Sequence, residues 1–344
     1  MRPAAPRKIA VLGAGSWGTT FAKVLADSCA NDGTAVQLWA RRAEVAEEIT
    51  TRHTNATYLK ETRLPHNITA SDDAAAVLDS AEMVVLAVPA QQLRQQLREV
   101  GHLIPAGSVI VSLMKGLERE TDARMTEVIA EELSWPQDAI AVVSGPNLAM
   151  EIAREEPTAS VVACPDEDTA AWIANACSPE YFRPYTNTDL IGVEIGGIVK
   201  NVIALAVGIC DGRGMGDNTK ASVITRGLAE TTRLALAVGG QLETMSGLAG
   251  LGDLVATCSS PLSRNRTAGR HLGSGLSLDD VNEVMTQTAE GIKSARAVLD
   301  RAHSVDVEMP ITEAVVMVLE GHLTVSDMAE RLLGRELKSE GEAS

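Results

Sequence analysis

The sequence predicts an α/β protein, with an N-terminal domain built on a doubly wound parallel sheet and an all-α C-terminal domain. Up to about residue 190, short apolar runs alternate with stretches of helical character. These runs are apolar throughout, as expected for strands that are buried on both faces. Beyond that point the strand signals stop and helical segments follow. Strand–helix alternation indicates a parallel sheet, and the later helices indicate a second domain.

Six apolar runs are the predicted strands of the first domain. They are Lys8–Leu12, Ala35–Trp39, Met83–Val88, Ser108–Ser112, Ala139–Val143 and Ser160–Ala163. We place the joint near residues 186–195, which gives an α/β domain at 1–190 and a helical domain at 191–336. The polar residues 337–344 are expected to fray.

Two local signals predict where helices begin in the second domain. Ser277 is a good N-cap residue and is followed three residues later by Asp280, the spacing of a capping box. Pro310 precedes an apolar segment and fits the first turn of another helix, where a missing N–H has no cost.

The charge balance excludes some partners. The chain has 344 residues, with 30 Lys+Arg against 46 Asp+Glu and a formal net charge of −16, and 45% of its residues are hydrophobic. Such a composition is typical of a folded protein, and the length suggests about two domains. The acidic excess argues against nucleic-acid and anionic-membrane partners. A small anion can still bind where the few cations are concentrated.

The cysteines and the start of the chain indicate a reducing, cytoplasmic setting. The five cysteines, Cys29, Cys164, Cys177, Cys210 and Cys258, are far apart and none forms a C-x-x-C pair. We therefore expect neither a disulfide framework nor a metal site. No secretory or membrane-spanning segment begins at the N-terminus, and later uncharged runs are too short to span a bilayer, so no membrane insertion is expected.

A glycine motif follows the first predicted strand. Gly13-Ala14-Gly15-Ser16-Trp17-Gly18 is a G-x-G-x-x-G that opens a helix. Gly13 allows a tight turn, Gly15 lets the backbone approach a pyrophosphate and Gly18 lets the helix pack on the strand. The helix N-terminus then attracts phosphate. This predicts a dinucleotide site of the Rossmann type; the alternative is a tight turn that binds nothing.

Two arginines end the second predicted strand. An NAD-specific site usually has Asp or Glu at this point, on the ribose 2′-hydroxyl. This chain has Arg41 and Arg42 instead. Because a guanidinium suits a 2′-phosphate, NADP is favoured over NAD, although NAD stays possible. The alternative is a pair of ordinary surface arginines.

Two lysines lie in apolar surroundings. Lys115 follows a predicted strand, at the end where ligands bind in open α/β sheets. Lys200 is the sole charge between Ile195 and Cys210, so we expect it to be buried, with a pKa lowered toward the range of a general acid. The alternatives are a solvated loop lysine at 115 and a structural salt bridge or snorkelling side chain at 200.

Other polar residues interrupt the apolar second domain and end one strand of the first. Asp253 lies in a glycine-rich stretch and could pair with a buried lysine or cap a helix. Ser263, Arg264 and Asn265 have the composition of a phosphate site, but a capped turn looks the same. The turn at 144–147 could add donors, and alone it is a weak signal.

Together these segments resemble the NAD(P)-dependent glycerol-3-phosphate dehydrogenases of the bacterial type, over essentially the whole chain. The matching segments are GAGSWGTT at 13–20, Asn55-Ala-Thr-Tyr58-Leu59, Val88-Pro89, Lys115-Gly116-Leu117, Ser144-Gly-Pro-Asn147-Leu-Ala149, Val199-Lys200-Asn201, Gly250-Leu-Gly-Asp253-Leu, Ser263-Arg264-Asn265 and Glu290-Gly291. Each segment is weak alone, whereas the ordered set is specific.

The resemblance implies roles for the matching residues. Lys200 is implied as the general acid and base, with Asp253 beside it and Lys115 close to both substrate and cofactor. The implied substrate ligands are Lys115, Gly145, Asn147, Lys200, Asn201, Asp253, Ser263, Arg264 and Asn265. The implied cofactor contacts, with the motif glycines, are Gly13, Gly15, Ser16, Trp17, Gly18, Arg41, Arg42, Tyr58, Lys115, Ala149, Arg264, Thr288 and Glu290. Asn147 departs from the family, which usually has Ser or Thr there, and its amide can replace the hydroxyl as a donor.

The implied reaction is NAD(P)H-dependent reduction of dihydroxyacetone phosphate to sn-glycerol 3-phosphate, a precursor of phospholipids, without a metal. One alternative is another two-domain NADP-dependent dehydrogenase of the hydroxyacid or phosphogluconate type. A second is a non-catalytic NADP-sensing module, whose signature would be loss of the catalytic lysines. The expected partner is a small phosphorylated molecule. The oligomeric state stays open, and a homodimer through the apolar C-terminal helices is one arrangement.

Overall fold

A computed structural model describes residues 5–285 and 289–328 of the chain. The chain divides into two compact units. Unit 1 runs to Lys115 and from Ala123 to Glu194, whereas unit 2 comprises Gly116–Asp122 and the chain from Ile195 onward. The predicted tail at 337–344 lies outside the described residues.

Unit 1 contains an eight-stranded sheet with the strand order β3-β2-β1-β4-β5-β6-β7-β8. The strands are β1 (Lys8–Leu12), β2 (Ala35–Trp39), β3 (Ile68–Ser71), β4 (Met83–Leu86), β5 (Val109–Ser112), β6 (Ile140–Ser144), β7 (Thr158–Ala163) and β8 (Phe182–Asn187). Strands β1 to β6 are parallel, and β7 and β8 run in the opposite direction. The predicted Rossmann-type α/β domain is therefore confirmed, with two strands reversed.

Helices surround the sheet and make up unit 2. They are α1 (Ser16–Ser28), α2 (Ala43–Arg52), α3 (Ala56–Leu59), α4 (Ala74–Leu78), α5 (Leu93–Val100), α6 (Met125–Leu133), α7 (Ala149–Ala153), α8 (Glu167–Ala176), α9 (Leu190–Gly212), α10 (Asp217–Ala237), α11 (Leu242–Ser246), α12 (Asp253–Ser259), α13 (Arg264–Gly273), α14 (Leu278–Val284), α15 (Glu290–His303) and α16 (Pro310–Leu319). A π-helical turn, Leu248–Gly252, precedes α12. The predicted helical second domain is confirmed for the residues described.

The six predicted strands are present, and the two strands that sequence reasoning missed lie at the sheet edges. Strand β3 reads Ile-Thr-Ala-Ser and β8 reads Phe-Arg-Pro-Tyr-Thr-Asn, and both are partly exposed. An edge strand need not be apolar on both faces, and it tolerates proline, because one row of its N–H groups has no partner strand. The apolar pattern therefore identified the six interior strands and missed the two edge strands.

The sheet is buried on both faces, as predicted. Ile9 and Val11 of β1 belong to one hydrophobic cluster, whereas Ala10 and Leu12 belong to another. Successive side chains of a strand point to opposite faces, so each face has its own core. Strand β1 is paired with both β2 and β4. The chain order reverses at this point, which is where ligands bind at the carboxyl edge of open α/β sheets.

Helix α9 is the long apolar helix of the chain. Within the described residues it alone is long and apolar enough to cross a membrane by length and composition. Most of it is buried inside the protein, as in the core helix of a globular domain. The predicted helix starts are also confirmed: Ser277 and Asp280 form a capping box on α14, and α16 begins at Pro310.

A buried carboxylate holds the start of α16. Glu230 of α10 accepts hydrogen bonds from the backbone N–H of Ile311 at 2.7 Å and from that of Thr312 at 3.3 Å. These N–H groups lie in the first helical turn, where no intrahelical acceptor exists. Burial nevertheless raises the pKa of Glu230 to about 7, against the lowering effect of these hydrogen bonds and of Arg233.

Because this pKa is raised, the folded protein keeps a proton that the unfolded chain releases between about pH 4.5 and pH 7. Stability contributed by Glu230 therefore falls as the pH rises through this window. The difference in free energy of unfolding, Glu230→Gln minus wild type, should therefore increase by up to about 3 kcal/mol between pH 4.5 and pH 8. Urea unfolding across this range checks it, with exposed Glu283→Gln as the control. A constant difference across the range would contradict it.

Candidate active site

The glycine turn after β1 has an open surface at its centre. Gly13 has a φ of +119°, and a Cβ there would lie 2.4 Å from the carbonyl oxygen of Ala87. A Cβ on Gly18 would lie 2.1 Å from the carbonyl oxygen of Gly13, so α1 packs directly on the turn. A Cβ on Gly15 would meet nothing within 4 Å. The space beside Gly15 is thus clear for a close-approaching ligand.

The start of α1 favours an anion. Its N-cap residue is Gly15, which provides no side-chain hydrogen bond, and the first turn has no acidic residue. The first N–H groups of a helix have no intrahelical acceptor and carry a partial positive charge. This turn therefore fits the pyrophosphate of a dinucleotide.

Asn55 supports the glycine turn, and sequence reasoning did not predict this role for Asn55. Its Nδ2 donates to the carbonyl oxygen of Ala14 at 3.0 Å and to Oγ1 of Thr19 at 2.9 Å. Asn55 is fully buried. The available signal was an uncharged, hydrogen-bonding residue just before the short α3, but its partners lie about forty residues away in sequence.

The other predicted cofactor residues of unit 1 lie near the same strands. Arg41 and Arg42 are exposed directly after β2, which pairs with β1, and the Arg42 Nε lies 3.9 Å from Oε1 of Glu44. Trp17 and Tyr58 are half-buried against the core of unit 1. The β1–β2 pairing thus brings the arginines to the edge that carries the glycine turn.

A second group lies at the carboxyl ends of β5 and β6. The Lys115 Nζ donates to the carbonyl oxygen of Gly145 at 3.1 Å. Gly145 has a φ of +130°, and the backbone N–H of Asn147 donates to the Gly145 carbonyl at 2.7 Å. Both polar atoms of the Asn147 carboxamide are buried without a hydrogen-bond partner among the described residues. Ala149 begins the next helix, and its carbonyl accepts from Oγ1 of Thr20 at 3.3 Å.

Unit 2 contains a buried ion pair. The Lys200 Nζ on α9 donates to Oδ1 of Asp253 and, at 2.7 Å, to Oγ1 of Thr257. Lys200 is 7% exposed and Asp253 is 1% exposed. Local sequence left Asp253 open between a lysine partner and a helix cap, and the family resemblance implied the place beside Lys200 that the structure shows. Thr257 was not assigned. The signal for Thr257 was its i+4 spacing from Asp253, which places both on one face of α12.

The predicted phosphate residues lie at the start of α13. Ser263 is the N-cap, and its Oγ accepts from the backbone N–H of Arg266 at 3.2 Å. Arg264 and Asn265 are the first two helical residues, and Asn265 Nδ2 donates to Oδ1 of Asn201 at 2.8 Å. The capped turn and the phosphate-site composition thus coexist here. The helix also has no acidic residue in its first turn.

The charges of Arg264 and Glu290 influence each other within unit 2. Arg264 keeps solvent contact, yet desolvation by the surrounding protein lowers the pKa of its guanidinium, and Glu290 opposes this effect. Burial raises the pKa of Glu290, while Lys293, Arg264 and Arg119 lower it. Oε2 of Glu290 is buried without a hydrogen-bond partner among the residues described. Thr288 lies outside the described residues.

Metal-ligating side chains do not cluster in the part of the chain that the structure describes. Across residues 5–285 and 289–328, no group of three or more His, Cys, Asp or Glu side chains could hold a metal ion. All five cysteines are buried with free thiols. In unit 2, the polar groups described above contain a lysine and an arginine together with carboxylates, amides and hydroxyls. Cations with neighbouring hydrogen-bond donors suit phosphate and carbonyl ligands.

A mostly parallel sheet with a glycine turn at its first strand–helix junction, together with a helical unit that buries a lysine–aspartate pair, is typical of the nicotinamide-dependent dehydrogenases. Two family models match the chain: the NAD-dependent glycerol-3-phosphate dehydrogenase N-terminus at residues 8–170 and the C-terminus of the same family at residues 189–330. The chain belongs to the NAD-dependent glycerol-3-phosphate dehydrogenase family. The resemblance noted in the sequence is confirmed, and family membership excludes the hydroxyacid- or phosphogluconate-type alternative.

Relatives cover nearly the whole chain. A glycerol-3-phosphate dehydrogenase [NAD(P)+] of Streptomyces griseus is 56% identical over 336 residues, which is 97% of this chain and 98% of the relative. One from Thermobifida fusca is 54% identical, with 97% and 98% covered. The solved glycerol-3-phosphate dehydrogenase of Coxiella burnetii superposes with a TM-score of 0.90 at 37% identity, covering 97% of this chain and all of that one. The chain is an NAD(P)-dependent oxidoreductase.

Proposed function

We propose that the chain reduces dihydroxyacetone phosphate to sn-glycerol 3-phosphate, with Lys200 as the general acid and base. The observation that carries this proposal is the buried Lys200–Asp253–Thr257 cluster in a member of this family. A buried ammonium needs compensating partners, and this one has a carboxylate and a hydroxyl. Such an arrangement holds the Lys200 Nζ in a fixed direction, as an acid that serves one substrate atom requires.

The chemistry assigns a task to each member of the cluster. When bound, NAD(P)H supplies the hydride, and negative charge develops on the substrate carbonyl oxygen. The Lys200 ammonium stabilises that charge and donates a proton from Nζ to the oxygen. Asp253 keeps Lys200 charged before the transfer, and the Thr257 hydroxyl fixes the direction of Nζ. In the reverse direction, the neutral Lys200 amine accepts the proton from the alcohol.

The substrate phosphate is held by the start of α13. Arg264 supplies a guanidinium, and the Ser263-capped helix start supplies N–H groups and a partial positive charge. Asn201, Lys115 and the turn that contains Gly145 and Asn147 complete the proposed set of substrate ligands. Anchoring the phosphate fixes the carbonyl for reaction, although the phosphate takes no part in the chemistry.

The cofactor is held by the glycine turn and the residues around it. Gly15 and the start of α1 take the pyrophosphate, while Gly13 and Gly18 allow the turn to form. The further proposed contacts are Ser16, Trp17, Arg41, Arg42, Tyr58, Lys115, Ala149, Arg264, Thr288 and Glu290. We assign the cofactor domain to residues 1–190 and the substrate domain to 191–336. NADPH is the preferred cofactor because Arg41 and Arg42 stand where a carboxylate would bind the ribose of NAD.

The proposal is tested by mixing the purified protein with dihydroxyacetone phosphate and following the loss of reduced-nicotinamide absorbance, with NADPH and NADH in parallel. Turnover that depends on dihydroxyacetone phosphate is expected, and it should be faster at low concentrations of NADPH than of NADH. No turnover with either cofactor would contradict the proposal.

The product is a precursor for phospholipids, so we further propose a role in their synthesis. We also propose that the protein acts in the cytoplasm and as a homodimer.

The arginines after β2 determine the cofactor preference. Arg41→Asp should raise the KM for NADPH about tenfold, because one charge-assisted contact with the 2′-phosphate is lost. The KM for NADH should stay the same or fall, because the new carboxylate can accept from the ribose hydroxyl. Steady-state kinetics with both cofactors measure this, with exposed Arg52→Asp on α2 as the control. Unchanged KM values for both cofactors would count against the assignment.

A further inference from the structure

Three helices of unit 2 meet at one side-chain amide. Asn265 on α13 donates from Nδ2 to Oδ1 of Asn201 on α9 at 2.8 Å. Its Oδ1 accepts from the backbone N–H of Gly291 on α15 at 2.9 Å. Both asparagines are buried. Because a backbone N–H can only donate, Gly291 determines which end of the Asn265 amide faces α15. The orientation of the amide is therefore fixed by its partners.

Gly291 shows that this junction is tightly packed. A Cβ at this position would lie 2.5 Å from the carbonyl oxygen of Asn201 and 3.0 Å from Oδ1 of Asn265. Real Cβ contacts are not this short, so any side chain at 291 would separate the helices. Glycine here allows α15 to approach α9 and α13 closely enough for the two hydrogen bonds to form.

We call the contacts among Asn201, Asn265 and Gly291 the amide bridge. Each of these three residues directly follows a residue of the proposed active site. The pairs are Lys200-Asn201, Arg264-Asn265 and Glu290-Gly291. The bridge therefore links the proposed acid, the proposed phosphate ligand and a proposed cofactor contact through their immediate neighbours. Arg264 and Glu290 also interact through their charges. A displacement of α13 relative to the middle of α9, or of α15 relative to α13, would break one of these two hydrogen bonds.

We propose that Asn265 is a positioning residue that keeps the substrate and cofactor ligands of unit 2 in one arrangement. This inference rests on the function proposed above and adds to the direct substrate contact that the resemblance implies for Asn265. The bridge needs one donor and one acceptor on a short side chain, which asparagine provides. Aspartate retains the acceptor for Gly291, and alanine provides neither group.

The test measures NADPH affinity in the absence of substrate. In Asn265→Ala, α15 loses its hydrogen bond to α13, so the Kd for NADPH should rise about tenfold. The KM for dihydroxyacetone phosphate should rise and kcat should fall in the same variant. A residue that only contacts substrate would raise this KM and leave the Kd for NADPH unchanged, and that result overturns the proposal. Asn218→Ala, at an exposed position on α10, is the control and should leave the Kd for NADPH and the KM for dihydroxyacetone phosphate unchanged.

Two further variants decide the matter if Asn265→Ala does not fold. Asn265→Asp keeps the acceptor for Gly291, so its Kd for NADPH should be closer to that of wild type. Gly291→Ala should raise the KM for dihydroxyacetone phosphate, although residue 291 has no side chain that could contact the substrate. An unchanged KM in Gly291→Ala overturns the proposal. The Kd measurement needs no turnover, so a failure of the proposed function, seen as no reduction of dihydroxyacetone phosphate by wild type, is distinguished from a failure of the bridge.

Discussion

Lys200→Ala is expected to lower kcat for the reduction of dihydroxyacetone phosphate by about 10²–10⁴-fold, the usual contribution of a positioned general acid. The variant removes the ammonium that is hydrogen-bonded to Asp253 and Thr257. The Kd for NADPH should stay near that of wild type, because the proposed pyrophosphate contacts lie in the glycine turn of unit 1. Stopped-flow single turnovers and NADPH titrations measure the two quantities. Near-normal turnover would exclude the acid–base role.

Loss of folding must be separated from loss of the acid. Lys200→Ala leaves the Asp253 carboxylate buried without its cation, which typically destabilises a protein by about 3–5 kcal/mol. The double variant Lys200→Met with Asp253→Asn removes both charges and should be more stable than the single variant, yet equally inactive. Lys23→Ala is the matched control. Lys23 is also buried and paired, with Asp27 and Glu155, so this variant should lose stability and keep kcat.

Local sequence patterns predicted the interior of the sheet because burial on both faces leaves a continuous apolar run. The same argument explains why β3 and β8 were missed. Both are partly exposed edge strands, and their mixture of polar and apolar residues resembles that of a loop. The reversal of β7 was also not predictable from composition. Strand direction depends on the connection before it, and α7 between β6 and β7 has only five residues.

Local sequence patterns identified chemically unusual residues but not their partners, and only the family resemblance implied that Asp253 lies beside Lys200. An isolated lysine in α9 was recognisable because its neighbours are apolar. Its pairing with Asp253 joins residues 53 positions apart and depends on how α9 packs against α12. Asn55 and the Asn265–Gly291 contact were unrecognised for the same reason. Amides are common in capped turns, so only the folded chain shows that these side chains connect separate elements.

The phosphate site gives the second large effect. Arg264→Ala should raise the KM for dihydroxyacetone phosphate about a hundredfold, because a guanidinium–phosphate contact contributes two charge-assisted hydrogen bonds in a partly desolvated place. The effect on kcat should be smaller, since the phosphate is bound in both the ground state and the transition state. Initial rates across a range of substrate concentrations, at saturating NADPH, separate the two constants.

Arg266→Ala on the same helix is the matched control for Arg264→Ala. Arg266 Nη2 donates to Oδ2 of Asp211 at 2.8 Å, so this guanidinium is committed to a carboxylate and not to the substrate. Both variants remove one positive charge from α13, and only Arg264→Ala should raise the KM. Dihydroxyacetone, which has no phosphate, provides a second comparison. Wild type should reduce it poorly, and Arg264→Ala should reduce it at the same rate as wild type. If Arg264→Ala weakened both substrates equally, the arginine would be supporting the helix and the phosphate would bind elsewhere.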